Sequence, residues 1–134
     1  MNEKLRSLQF IHLGISGGAT LLYLLLGNIT FDTLIIRHVD TSEIIYIAIP
    51  VLAIILSNIL FKSQLKQTKP ILSIEENMST YQTASLIRWA ILEGAAFMIF
   101  FIKPEFISFG ILVIAYLISL RPTINRIESD LQSV

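Results

Sequence analysis

Four apolar stretches, at about residues 8–29, 44–61, 84–102 and 106–120, take up more than half of this chain and decide what it can fold into. A helix of about 20 apolar residues, rising about 1.5 Å per residue, matches the roughly 30 Å hydrocarbon core of a bilayer. No water reaches backbone amides in that core, so a spanning segment must pair its own N–H and C=O groups. The pattern predicts an all-α membrane protein, one domain over residues 1–134, with four transmembrane helices arranged as two tandem hairpins. Composition agrees: the chain is 54% hydrophobic and 15% charged, and its mean hydropathy is +0.71, too apolar for a soluble domain of this size.

Ten basic and ten acidic side chains cancel, which leaves no basic surface to suggest nucleic acid. The absence of cysteine excludes disulfides and thiolate metal sites. His12 and His38 have no metal-ligand spacing, and they fall on opposite sides of the membrane, unlike the facing pair a haem would need. No cofactor is expected, and no catalytic constellation can be built from residues in or beside the helices, so the sequence reads as a non-enzyme.

The basic start MNEKLRS followed by an apolar run has the outline of a signal peptide, but the run is too long and lacks a cleavage site. It is read as helix 1. Gly14 and Gly18 make a GxxxG within it, with Gly17 beside them, a spacing that lets another helix approach closely. The connection 30–43 carries a segment, Thr33 to Val39, suited to a short interfacial helix or strand. Helix 2 holds Pro50 near its second turn and Asn58 near its end, the latter suited to a helix–helix hydrogen bond. In the polar stretch 62–80, Pro70 breaks any continuing helix, and Ser73 with Glu76 has the S-x-x-E form of a capping box. Helix 3 should therefore start near Ile74 and enter the hydrocarbon near Ala84. Helix 4 has only fifteen apolar residues, few for a span. Ile124, Ile127 and Leu131 give the tail an amphipathic turn or two suited to a membrane surface.

Lys4, Arg6, Lys62, Lys66, Lys69, Arg121 and Arg126 fall on one side of the membrane, against Arg37 and Lys103 on the other. The positive-inside rule then puts both termini and the 62–80 loop in the cytoplasm of a bacterial inner membrane. Sliding the chain on itself by 76 residues lays IHLGISGGATLLYLL, Ile11 to Leu25, over IRWAILEGAAFMIFF, Ile87 to Phe101. His12 meets Arg88, Gly14 meets Ala90 and Gly18 meets Gly94, while Gly17 meets Glu93. A parallel repeat of two hairpins is implied, with helices 1 and 3 meeting through Gly14, Gly18, Ala90 and Gly94.

Glu93 is the costliest residue in the chain. It lies nine residues from either end of the 84–102 stretch, near the midplane, where an ionised acid is disfavoured by roughly 2.5–3.5 kcal/mol. Such a group must be neutral, paired, or turned towards protein or water. A bond to His12 or Ser16 of helix 1 is sterically easier than one to Arg88 on its own helix. Gln9, His12, Asn58, Arg88 and Ser119 all fall near the cytoplasmic helix ends and are candidates for one polar cluster. If Glu93 stays protonated, Arg88 is expected to snorkel to lipid phosphate with His12 at the interface. Otherwise Glu93, with His12, Ser16, Arg88 and Asn58 around it, binds a proton or cation in a water-accessible cleft. Tyr23, Tyr46, Tyr81, Trp89 and Tyr116 read as packing and interface aromatics.

A duplicated helical hairpin with a glycine-rich first helix, and a helix reading AILEGAAFMIFF, resembles the proteolipid (c-type) rotor subunits of rotary ATPases. The resemblance covers the Glu93 helix and the glycines of helix 1. It implies a homo-oligomeric ring whose intramembrane carboxylate, matched here by Glu93, carries protons or sodium. In that family the acid lies on the second helix of its hairpin, whereas Glu93 lies on the first helix of the second. The expected role is a structural or accessory subunit, or homo-oligomer, of a membrane complex, in contact with lipid. The alternative is ion translocation through Glu93.

Overall fold

A computed structural model describes residues 2–30, 40–69 and 71–132. The segment Thr33 to Val39, with Arg37 and His38, and the helix break expected at Pro70 lie outside the described residues. Among the described residues every element is helical. They are α1 (Asn2–Leu26), α2 (Ile44–Leu65), α3 (Ile74–Ile102), α4 (Ile107–Ser119) and α5 (Ile124–Gln132), with single 3-10 turns at Thr41–Glu43 and Pro104–Phe106.

Three segments are long and apolar enough to cross a membrane: Glu3–Leu26, Thr41–Leu65 and Ile74–Ile102. A fourth exists only if Pro104–Ser119 and Ile124–Gln132 are taken together across a 93° bend. The reason is length. The 13 residues of α4 extend about 20 Å at about 1.5 Å each, short of a hydrocarbon core of about 30 Å.

The start of α3 is set by its cap. Ser73 Oγ accepts a hydrogen bond from the Glu76 backbone N–H at 3.2 Å, and the Glu76 carboxylate accepts one from the Ser73 N–H at 2.7 Å. This is the capping box read from the sequence, and it satisfies two amides that the helix leaves unpaired. From there α3 runs 29 residues and packs on α1, α2, α4 and α5. Its buried positions, Asn77, Met78, Tyr81, Ala84, Ser85, Arg88, Trp89, Leu92, Ala95, Ala96 and Ile99, wrap well beyond one stripe. A helix buried on several faces is the centre of its bundle.

α1 lies alongside α3 in the same direction. Near their starts Lys4 Nζ donates to the Glu75 carbonyl, and further on Tyr23 Oη donates to the Ala96 carbonyl at 2.5 Å. The contact between them is not the one the glycines suggest. α1 turns Leu8, His12, Ser16, Ala19 and Tyr23 inward, while Gly14 and Gly18 face out. A Cβ added at Gly14, Gly17, Gly18 or Gly94 would meet nothing within 4 Å, and Ala90 is exposed. The rings of His12 and Trp89, 4.8 Å apart, and of Tyr23 and Phe100, 5.2 Å apart, make the interface instead. Aromatic pairs at such spacing bury more area than a glycine seam.

Close contacts require a glycine at Gly27, where a Cβ would lie 2.9 Å from the Ile107 side chain, and at Gly110, on α4. A Cβ at Gly110 would fall on the Tyr23 hydroxyl and lie 2.8 Å from its Cζ. Gly110 therefore leaves the room in which the Tyr23 ring crosses from α1 to α3.

At the other end of α4 the chain turns under the bundle. Gln9 Nε2 donates to the Pro122 carbonyl at 2.9 Å, and Thr123 Oγ1 caps α5 by accepting from the Arg126 N–H at 3.2 Å. Ile127 is fully buried and Leu131 packs against the core. Of the apolar face suited to a membrane surface, Ile127 and Leu131 therefore turn to the chain's own bundle, while Ile124 stays exposed. Asn77 closes the same end: its amide accepts from the Lys69 N–H at 3.2 Å and donates to the Lys69 carbonyl at 2.9 Å, pinning the α2–α3 turn.

Candidate functional site

The polar residues inside the bundle come from a stripe on α3. Asn77, Tyr81, Ser85 and Arg88 follow one another at spacings of four, four and three, so they line one face. All four are buried. Arg88 is 5% exposed, with its guanidinium 3.6 Å from the centroid of the Phe61 ring on α2. It does not snorkel. A delocalised guanidinium sheds water more readily than an ammonium, and an aromatic face attracts it, by about 2 kcal/mol when desolvated. Tyr81 stands edge-on to Phe61, with centroids 5.8 Å apart, and donates its hydroxyl to Asp130 of α5 at 2.8 Å. Burial is the strongest influence on Arg88, and the polar groups around it are Tyr81, Asp130, Tyr116 and Arg126.

His12 is also internal, at 4% exposure, and not at the interface. Its Nε2 is 2.8 Å from the Leu117 carbonyl of α4, which fixes the proton on that nitrogen, since a carbonyl can only accept. Ser16 donates to the His12 carbonyl at 2.7 Å, and Thr20 to the Ser16 carbonyl at 2.7 Å. Asn58 donates its amide to Ile54 on its own helix and to the Tyr116 hydroxyl of α4, each at 2.8 Å. That is the helix–helix bond its position predicts. Three donors on the inner face of α3, Ser85 Oγ, Arg88 Nε and Trp89 Nε1, have no partner among the described residues.

The expected cluster is therefore split. His12 joins Arg88's neighbour Trp89, Asn58 joins Tyr116, and Gln9 is used on Pro122. Ser119 is exposed and, among the described residues, bonds only the Tyr116 carbonyl of its own helix. Glu93 lies apart. It is half-buried and, among the described residues, its carboxyl makes no hydrogen bond or ion pair. The bonds expected from His12 and Ser16 go elsewhere because both find backbone carbonyls closer at hand.

Ala90 and Gly94, on either side of Glu93 in sequence, border an outward groove of about 640 Å³ between α2 and α3, walled by Leu52, Ala53, Leu56 and Met98. At the 76-residue offset the burial of α1 and α3 corresponds at many positions, though not at Leu13, which is exposed, and Trp89, which is buried. His12 and Arg88, Ser16 and Leu92, Ala19 and Ala95, and Tyr23 and Ile99 are buried, whereas Gly14 and Ala90, and Gly18 and Gly94, are exposed. Gly17 and Glu93 are both intermediate.

Among the described residues no three His, Asp or Glu side chains come together as a metal site would require. What the described residues present is an all-helical bundle with three or four helices apolar enough to span a membrane, a largely buried polar interior, and an acid on its outer half that finds no partner among them. The chain matches no protein-family model, no curated protein and no solved structure.

Proposed function

We propose that the chain is a small polytopic protein of the bacterial inner membrane that serves as a structural or accessory subunit, or as a homo-oligomer, of a membrane complex. Its topology in this reading is four helices in two tandem hairpins, with both termini and the 62–80 loop in the cytoplasm. The shared burial pattern of α1 and α3 supports the repeat, and the gathering of Lys4, Arg6 and Arg121 at one end supports the orientation.

One observation carries the proposal: a carboxyl unpaired within its own bundle stands beside outward faces of small residues. In lipid, helices associate through close backbone approach at small residues and through interhelical hydrogen bonds. A partner helix packed over Ala90 and Gly94 would supply both to Glu93, while the equivalent Gly14–Gly18 face would take a second contact.

The absence of native cysteine makes the test clean. Single substitutions Gly18→Cys and Ala90→Cys should cross-link to a partner or to a second copy in native membranes, whereas Leu112→Cys, exposed on α4, should not. Equal cross-linking at all three positions, or none at any, contradicts the proposal. The second reading, proton or cation exchange at Glu93, rests on the same unpaired carboxyl. Glu93→Gln separates the two. It keeps the hydrogen bond and should be nearly silent for a subunit role, and it should abolish function at normal expression for an ion role.

A further inference from the structure

A second groove, of about 520 Å³, opens between α1 and α4 at the end where Gln9 meets Pro122. Its lining is graded. Arg6 and Arg121 stand exposed at the mouth, and Phe10, Leu13 and Ile118 are exposed along the walls. Between them are Gln9, His12 and Ser16. Those three are already used: Gln9 donates to the Pro122 carbonyl, His12 to the Leu117 carbonyl, and Ser16 to the His12 carbonyl. The unused donors in the groove are thus the two guanidiniums, and among the described residues no acid lines it. Neither arginine makes an ion pair among the described residues.

We propose that this groove binds an anionic phospholipid, with Arg6 and Arg121 on the headgroup phosphate and an acyl chain along Phe10, Leu13 and Ile118. Guanidiniums match phosphate oxygens as bidentate donors, and basic pockets between helices at a membrane surface are suited to anionic headgroups. The apolar walls are what choose a lipid over free phosphate. A small anion would leave Phe10, Leu13 and Ile118 uncovered, while an amphiphile pairs with both ends of the gradient. The short α4 makes the groove possible: it ends at Ser119, so Arg121 is delivered beside Arg6 on α1 rather than beyond it.

The chain carries its own reporter. Its one tryptophan, Trp89, is fully buried and packs 4.8 Å from the ring of His12 in the groove floor. The full-length protein would be reconstituted into phosphatidylcholine vesicles containing brominated-acyl phosphatidylglycerol or brominated-acyl phosphatidylcholine, and quenching of Trp89 followed. Wild type should be quenched preferentially by the anionic lipid. Each arginine supplies roughly a fivefold preference and the pair about twenty-fivefold, so Arg6→Gln with Arg121→Gln should bring the two lipids level. Arg6→Lys with Arg121→Lys should keep most of the preference, and Lys66→Gln, away from the groove, should keep all of it. Equal quenching by both lipids in wild type overturns the proposal, as does a preference that survives in the double Gln variant. In detergent, inorganic phosphate at millimolar concentration should not displace the brominated anionic lipid; displacement would show a simple anion site and overturn the lipid assignment.

Discussion

Replacing Gly110 with alanine tests the packing at the centre of the bundle. The added Cβ would lie 2.8 Å from Tyr23 Cζ, where ordinary contacts begin near 3.4 Å, so the ring must withdraw by more than half an ångström. It has little room to do so. Tyr23 is 2% exposed, its hydroxyl is bound to the Ala96 carbonyl, and Phe100 closes the other side. Overpacking of this kind destabilises by about 1–3 kcal/mol. Tyr23→Phe removes the atom nearest the new methyl and, by itself, loses one interhelical hydrogen bond, about 0.6 and at most about 1.7 kcal/mol in a membrane protein. The double variant should therefore be less destabilised than the sum of the two by at least about 0.5 kcal/mol. Reversible unfolding in mixed micelles, titrated with a denaturing detergent, reads all four corners of the cycle. Gly18→Ala, where the new methyl meets nothing, should be within about 0.5 kcal/mol of wild type. A silent Gly110→Ala, or strict additivity in the cycle, would refute the placement of Tyr23 across α4.

Other perturbations reach the remaining contacts. Phe61→Leu takes away the ring beneath Arg88 and should destabilise by about 2 kcal/mol or more in the same titration; Phe61→Tyr, which keeps an aromatic face, should recover most of that. Asn58→Leu removes the bond to Tyr116 and should lose about 0.6–1.7 kcal/mol, with no further loss when Tyr116→Phe is added. Asn77→Leu frees both backbone groups of Lys69 and should sharply raise protease cutting within 66–73 while leaving the helical circular dichroism nearly unchanged.

The apolar runs fixed where the helices lie in the sequence, because hydrocarbon admits so few backbone arrangements. The Ser73–Glu76 cap was legible for a local reason: both bonds are made within four residues. Which face of each helix turns inward was harder to read. In a soluble helix an apolar stripe marks the interior, but in lipid Phe10, Leu13, Leu21 and Leu24 lie outside, so apolarity marks nothing. The usable signal is the inverse one. His12, Ser16, Thr20 and Tyr23 on α1, and Asn77, Tyr81, Ser85 and Arg88 on α3, repeat at three and four residues and point inward because lipid cannot satisfy them. Reading GxxxG as the seam passed over that stripe. Gly110 was missed for a different reason: its partner, Tyr23, is far away in sequence, and no local pattern reports such a contact. The shortness of α4 was legible in its fifteen apolar residues, but the turn that tucks α5 under the bundle depends on long-range contacts by Gln9 and Tyr81.

The most direct test of the subunit role is the modification of Glu93 by a hydrophobic carbodiimide, followed across pH in native membranes and again after extraction into detergent. A partner over Ala90 and Gly94 predicts little labelling in the membrane and faster labelling once the complex is dissociated. Rapid labelling in native membranes, altered by acidity or sodium, would show an exchangeable carboxyl open to the lipid and would contradict the subunit account in favour of ion exchange.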